Sequence, residues 1–305
     1  MAEQPNGSGE SPNGSKAKTR KPTSAYRKLR RKLSITKARV PLLWFRHHGF
    51  RPPDVFLGSY PRSGTTWTRF TLYEILTGRA SGFVAVNTAL HGVGSHKTGW
   101  PVLPNGGRLI NTHERYHQEY KRAIYLVRDA RDVALSEFAY TRALEFFHGD
   151  LDEFLTTFLC KKINAFGPWQ RQVSSWLDSP IAGTPDLLLM HFEDLRRNPM
   201  EGFSQMVDFL GVKADPGLIQ RAITNNALEK MQEKERKEPV RASVKDRFVR
   251  SGAVQGWRSK LTPAQVEFIE QHAGKVLARL GYPLSKETPE PEVQSNSLLQ
   301  TSSLP

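Results

Sequence analysis

One cysteine, Cys160, stands in a chain of 305 residues, so no intrachain disulfide and no multi-cysteine metal site can form. Long apolar runs are missing too: none approaches the roughly 18–20 residues that a membrane helix requires. The opening MAEQPNGSGESPNGSK has none of the apolar core of a secretory signal. A reducing, cytoplasmic setting is the expectation. Neither H-E-x-x-H nor a paired His–carboxylate spacing occurs, and a metal-independent reaction is expected. Acidic residues are scarce at one end, where residues 1–50 hold 12 Lys and Arg against 2 Glu, which is +10 of the net +14. The remaining chain is close to neutral. Such an imbalance describes a solvated basic arm, or a weak contact with an anionic membrane or nucleic acid, rather than a folded basic face.

The composition otherwise suits a folded protein, with 38% hydrophobic and 24% charged residues. A chain of this length can bury a sizeable core and keep a substrate cleft. The first 25 residues are rich in Gly, Ser, Pro, Asn and Lys without hydrophobic period, as are those from about 286 onward. We therefore expect a largely disordered arm over 1–45, a domain over 46–285 and a disordered tail over 286–305. Within the domain, the apolar runs 54–60, 108–113, 123–129 and 186–194 are bounded by turn or charged residues, as buried parallel strands are. Helical spacing follows the first run at Trp67, Phe70, Tyr73 and Leu76, and the third at Val133, Phe138 and Leu144. A last helix opens at Thr262 with Pro263 at its first position and Gln265 completing a capping box, and closes near Gly281. Strand followed by helix, repeated, predicts an α/β fold: one domain with a central, mostly parallel sheet flanked by helices.

Between the first strand and its helix lies SYPRSGTTW, residues 59–67. The backbone N–H groups of Ser63, Gly64, Thr65 and Thr66 are expected to face outward from a helix N-terminus, a geometry that binds anions. Two threonine hydroxyls add donors, and Arg62 adds a planar cation that can fork onto phosphate oxygens. A nucleotide-hydrolysing loop is spelled G-x-x-x-x-G-K-[ST]; here its first glycine and its lysine are both missing.

The loop resembles the phosphosulfate loop of the sulfotransferase family, YPKSGTTW, with Arg62 at the usual lysine. YLVRDARDVALSEF, residues 125–138, is similar to the family's 3′-phosphate motif, with Arg128 and Ser136 at the family's spacing. FVRSGAVQGWRSKLT, residues 248–262, is similar to the R-K-G-x-x-G-x-W loop that closes over the nucleotide; Arg250, Gly252 and Trp257 match, while Ser251 replaces the lysine and the second glycine is displaced to Gly256. NTH, residues 111–113, resembles the KTH motif, whose histidine is the catalytic base. The resemblance covers about residues 54–282, with the motifs in family order.

It implies a P-loop-like, phosphosulfate-binding fold and an enzyme that moves a sulfuryl group from 3′-phosphoadenosine 5′-phosphosulfate (PAPS) to a hydroxyl or amine. His113 is then the base, Arg62 stabilises the leaving phosphate, and Arg62, Ser63, Gly64, Thr65, Thr66, Trp67, Arg128, Ser136, Arg250 and Gly252 bind the donor. Trp67 stacks on adenine or anchors its helix. Phe192, where the family often has tyrosine, is left outside the site, and His91, His96, His117 and His191 are read as structural or solvated. Arginine cannot act as a general acid, so Arg62 must work by charge and hydrogen bonding. The acceptor, a small molecule, glycan or lipid, is expected to lie against residues 81–105 and 138–158. Two other readings stay open: a P-loop-type small-molecule kinase and a non-catalytic basic scaffold for nucleic acid or membranes.

Overall fold

The computed structural model describes residues 46–239 and 248–285, and the expectations for the basic arm at 1–45 and the tail at 286–305 lie outside them. Four short apolar runs pair side by side. They are β1 (Val55–Ser59), β2 (Leu109–Thr112), β3 (Ala123–Val127) and β4 (Leu187–His191), all parallel, in the order β2-β1-β3-β4. Because strand side chains alternate, each run serves two faces at once. Phe56, Ile110, Tyr125 and Val127 enter one core with Trp169, Trp176 and Ile269; Val55, Leu57, Leu109, Ile124 and Leu126 enter the other with Phe70, Leu72, Phe203 and Met206. A parallel sheet buried on both sides explains why its strands carry so few polar residues.

Ten α-helices cover these faces among the described residues. α1 (Thr65–Thr77) and α2 (Phe83–Ala89) follow β1; α3 (Ala130–Ala143), α4 (Leu151–Cys160) and α5 (Trp169–Leu177) follow β3. α6 (Phe192–Arg197), α7 (Pro199–Phe209), α8 (Pro216–Asn225), α9 (Leu228–Lys237) and α10 (Pro263–Arg279) complete the chain. The α/β expectation holds, as does the capping box at Thr262 and Gln265. The fourth strand needs correction. It ends at His191, and Phe192 already opens α6, whose Glu193 and Asp194 complement the positive end of that short helix.

Trp176 lies flat on the sheet, stacked 4.7 Å from Tyr125 and 5.6 Å from Tyr120. It sits so close that a Cβ on Gly58 would fall 2.7 Å from its ring. The small residue just before the strand end thus lets α5 approach β1, which brings Gln172 of that helix under the loop.

The connection from β1 leads to β2 on one side, and the chain then crosses back to β3 on the other. At such a switch point the loops leaving the carboxyl ends of the strands diverge and open a crevice. Ser59, His113 and Arg128 stand at the ends of the three strands that border it.

Candidate active site

The loop after β1 is held by its neighbours rather than by its own side chains. Gly64 is the N-cap of α1 at φ 93° and contributes no side-chain cap, so the first amides of the helix are left to an outside acceptor. A Cβ at Gly64 would meet the Phe192 ring, 2.6 Å from Cε2. Replacing Gly64 by Ala therefore carries a left-handed φ and a ring clash together, and we expect loss of the loop's anion affinity with a lowered Tm; an unchanged Tm and affinity would show that the loop re-forms around Phe192. Arg62 also has a left-handed backbone, φ 71°, which costs on the order of 1–3 kcal/mol. Its partners offset that cost: the Arg62 carbonyl accepts from Arg128 Nη1 at 2.9 Å, and its guanidinium donates to Ser136 Oγ at 3.1 Å and to the Phe248 carbonyl at 3.2 Å. The same guanidinium lies 4.7 Å from the Tyr140 ring centre and 4.8 Å from that of Phe248.

Arg128 staples the crevice. Besides Arg62 it donates to the Ala253 carbonyl at 2.7 Å, and it lies 4.7 Å over Phe192. Its Nε is buried without a partner, as are Ser63 Oγ and Trp67 Nε1. Buried donors in that condition each cost about 1–3 kcal/mol, and an acceptor-rich ligand removes the cost. A Cβ on Gly252 would lie 3.9 Å from the Phe192 ring, so the two loops meet on this one aromatic residue. Segment 248–257 is tied at both ends: Glu235 accepts from the Phe248 and Val249 amides at 2.7 and 2.9 Å, and Asp132 accepts from those of Gln255 and Trp257 at 2.8 and 2.9 Å. Arg250 is exposed, its carbonyl held by Gln232 Nε2 at 3.0 Å, and its charge reaches Arg62. Trp67 packs edge-on against Phe203, 5.3 Å between centres, with Arg196 5.2 Å over its ring.

At the end of β2, His113 Nδ1 lies 3.0 Å from the Ser59 carbonyl and 3.1 Å from Ser59 Oγ, which in turn lies 2.5 Å from Thr65 Oγ1. A carbonyl only accepts, so Nδ1 carries the proton and Nε2 is left as a base. Burial, aided by the charges of Arg69 and Arg62 and opposed by the Ser59 hydrogen bond, pulls the imidazole down to about 4, so it is neutral at neutral pH. Gln172 fixes its position, donating to the carbonyls of Ser59, His113 and Glu114 at 3.3, 3.3 and 3.1 Å while accepting from Tyr125 at 2.7 Å. The Phe166 ring stands 5.6 Å from that of His113 on a loop secured by Asn164, which donates to both Tyr60 Oη and the buried Glu137 carboxyl.

This arrangement of an uncapped helix N-terminus, a buried arginine and a neutral histidine at the carboxyl ends of the strands can be set beside known proteins. The sulfotransferase domain model matches residues 105–281, more than half of the chain. The chain belongs to the sulfotransferase family. Sulfotransferase 1A1 of Bos taurus is 26% identical over 255 residues, covering 74% of this chain and 84% of that protein. Human sulfotransferase 1C2 is 23% identical over 250 residues, covering 72% and 82%. Among solved structures, mouse sulfotransferase SULT7A1 complexed with PAP superposes with a TM-score of 0.60 at 23% identity, over 79% of this chain and 92% of the other. Retinol dehydratase in a complex with retinol and PAP gives 0.62 at 21%, over 78% and 86%.

The matched region of the sulfotransferase domain begins after the 59–67 loop, so that loop stands on its own geometry. Four residues of this cluster escape a motif reading: Phe192, Gln172, Asp132 and Glu235. Phe192 was set aside for lacking a hydroxyl, yet its ring is the surface on which Gly64, Arg128 and Gly252 converge. Gln172 did leave a trace in the sequence, because Trp169, Gln172, Val173 and Trp176 form one helix face and a lone amide among aromatic residues needs internal partners. Of the other histidines, His96 Nε2 donates to the His48 carbonyl and His191 Nε2 to that of Leu280, while His117 stacks on His47. The aromatic stretch 138–158 splits: Phe154 and Phe158 are fully in the core, whereas Phe146 is exposed. No helix among the described residues is long and apolar enough to cross a membrane, and no metal-binding group of His, Cys, Asp and Glu occurs among them.

Proposed function

We propose that this protein is a cytoplasmic enzyme transferring a sulfuryl group from PAPS to the hydroxyl, or amine, of a small-molecule acceptor, with His113 as the base. The observation that carries the reading is the concentration of unpartnered donors, Ser63 Oγ and Arg128 Nε, beside the uncapped N-terminus of α1. These residue types suit a nucleotide bearing two separated phosphate groups, and the relatives crystallised with PAP support that choice.

PAPS, when bound, supplies an activated sulfur whose bond to the phosphate oxygen is the one that breaks. The amides of Ser63–Thr66 and the Arg62 guanidinium bind the 5′-phosphate side and offset the charge that grows there as its oxygen keeps the bonding electron pair. Arg128 and Ser136 hold the 3′-phosphate. His113 Nε2 takes the acceptor's O–H proton as the new O–S bond forms, and the proton leaves the imidazolium to solvent. Ser59 and Gln172 keep the imidazole aimed and in the required tautomer. Most of this is positioning and electrostatics, the main resources of group transfer between oxygens.

The test is incubation with PAPS and a panel of phenols, steroid and retinoid alcohols and amines, with mass-spectrometric detection of sulfated product and PAP. We expect the two in equal amounts and unaffected by EDTA. No product with any acceptor, together with phosphorylated product from ATP and Mg²⁺, would return the protein to the kinase reading.

A further inference from the structure

Arg69 occupies an unusual position. It lies on α1 one turn beyond Thr65 and on the same face, since residues four apart on a helix are neighbours. Thr65 is joined to Ser59 and through it to His113. From there the Arg69 side chain crosses to the end of α2, where Nη2 donates to Asn87 Oδ1 at 3.0 Å and to the Leu90 carbonyl at 2.5 Å. The next residue, His91, accepts from the Asn111 amide, two residues before His113. The guanidinium therefore bridges α1 to the end of α2, one residue before the backbone bond that ties His91 to the His113 end of β2. Its Nε is buried without a partner. Burial pulls even this arginine down to about 10, with no carboxylate to offset it.

Capping α2 accounts for Nη2 alone. It leaves unexplained a buried, unpaired Nε and a cation set close enough to the base to depress it. Placing a positive charge beside a group that must become an imidazolium works against proton transfer, so the charge needs a compensating partner on the same side. One anion must arrive there whatever the acceptor is, because the sulfur has to approach the oxygen that His113 deprotonates. Resting on the reading of the reaction given above, we propose that Arg69 is a further catalytic residue, binding an oxygen of the sulfuryl group as it passes to the acceptor beside His113. It thereby places a cation on the acceptor side, opposite the leaving-phosphate side served by Arg62. The groups that act electrostatically on His113 are Arg69 from α1, Arg62 from the loop and the Ser59 carbonyl from β1.

The experiment compares Arg69→Gln and Arg69→Lys in the full chain, using PAPS with whichever acceptor the panel identifies, PAP titration, and NMR titration of the His113 imidazole. Arg69→Gln keeps an N–H donor for the α2 carbonyl but removes the charge. We expect its kcat to fall about 10²–10³-fold, the range for removing one donor that meets developing charge. PAP affinity should be unchanged and the His113 pKa raised; Arg69→Lys should recover most of kcat and keep the low pKa. Equal loss in both variants with the His113 titration unmoved would make Arg69 a structural cap and overturn the proposal. So would an effect confined to KM for acidic acceptors, which would assign the cation to the acceptor instead. If His113→Ala proves active, the base assignment fails separately, and a charge-dependent loss of kcat at Arg69 still carries this one.

Discussion

Turnover of His113→Ala is expected to fall by about 10²–10⁴-fold, the usual worth of a positioned general base, while PAP binds as tightly as before. The two effects separate because His113 contacts Ser59 and the Phe166 ring, whereas the expected phosphate contacts come from residues 62–66, 128 and 136. His113→Asn serves as the control for folding, since its amide can still donate to the Ser59 carbonyl. Equal loss of turnover and PAP affinity in both variants would make His113 a structural tie between β1 and β2. The pH profile gives a second check. With the free imidazole near 4, the protein keeps its base unprotonated down to low pH and loses it only as pH falls through that value. The acid limb of kcat/KM, which reports the free enzyme, should accordingly lie well below the ordinary histidine value of about 6.5. An acid limb near 6.5 would mean that another, solvated group controls the reaction.

Arg128→Ala is expected to weaken PAP by roughly tenfold to a hundredfold, in line with the worth of a hydrogen bond to a charged group, and adenosine 5′-phosphate by much less. Some loss is common to both nucleotides, because Arg128 also donates to the Arg62 and Ala253 carbonyls and its removal loosens the crevice on both sides. The 3′-phosphate contribution is the difference between the two ligands. Calorimetric titration of each nucleotide into both proteins measures it. Equal weakening of the two nucleotides would leave Arg128 as a staple between loops and assign the 3′-phosphate to other groups.

Much of the fold was legible because it rests on local pattern. Apolar runs marked the four strands, and Thr262, Pro263 and Gln265 marked the start of α10. At 186–194 the pattern misled: HFED continues the apolar run through Phe192, but that residue is buried on the first turn of a helix and not in the strand. Burial alone gives the same signature for either. The loop residues and His113 were legible through motifs, and the structure gathers them with Arg128 and Ser136 on one edge of the sheet. What the sequence concealed are the long-range supports. Asp132 and Gln255 are 123 residues apart, and Gln172 reaches Ser59 across 113 residues. No periodicity records such pairings; they arise when parallel strands bring distant segments together. Arg69 was hidden for a different reason, since its place inside an apolar helix pattern reads as a polar residue facing water.

The most direct test of the account is calorimetric titration of the unmodified protein with PAP, adenosine 5′-phosphate, and ATP with Mg²⁺. The account predicts tight binding of PAP without metal, weaker binding of adenosine 5′-phosphate by the worth of the 3′-phosphate, and little heat from ATP with Mg²⁺. Tight, Mg²⁺-dependent binding of ATP with none of PAP would contradict it.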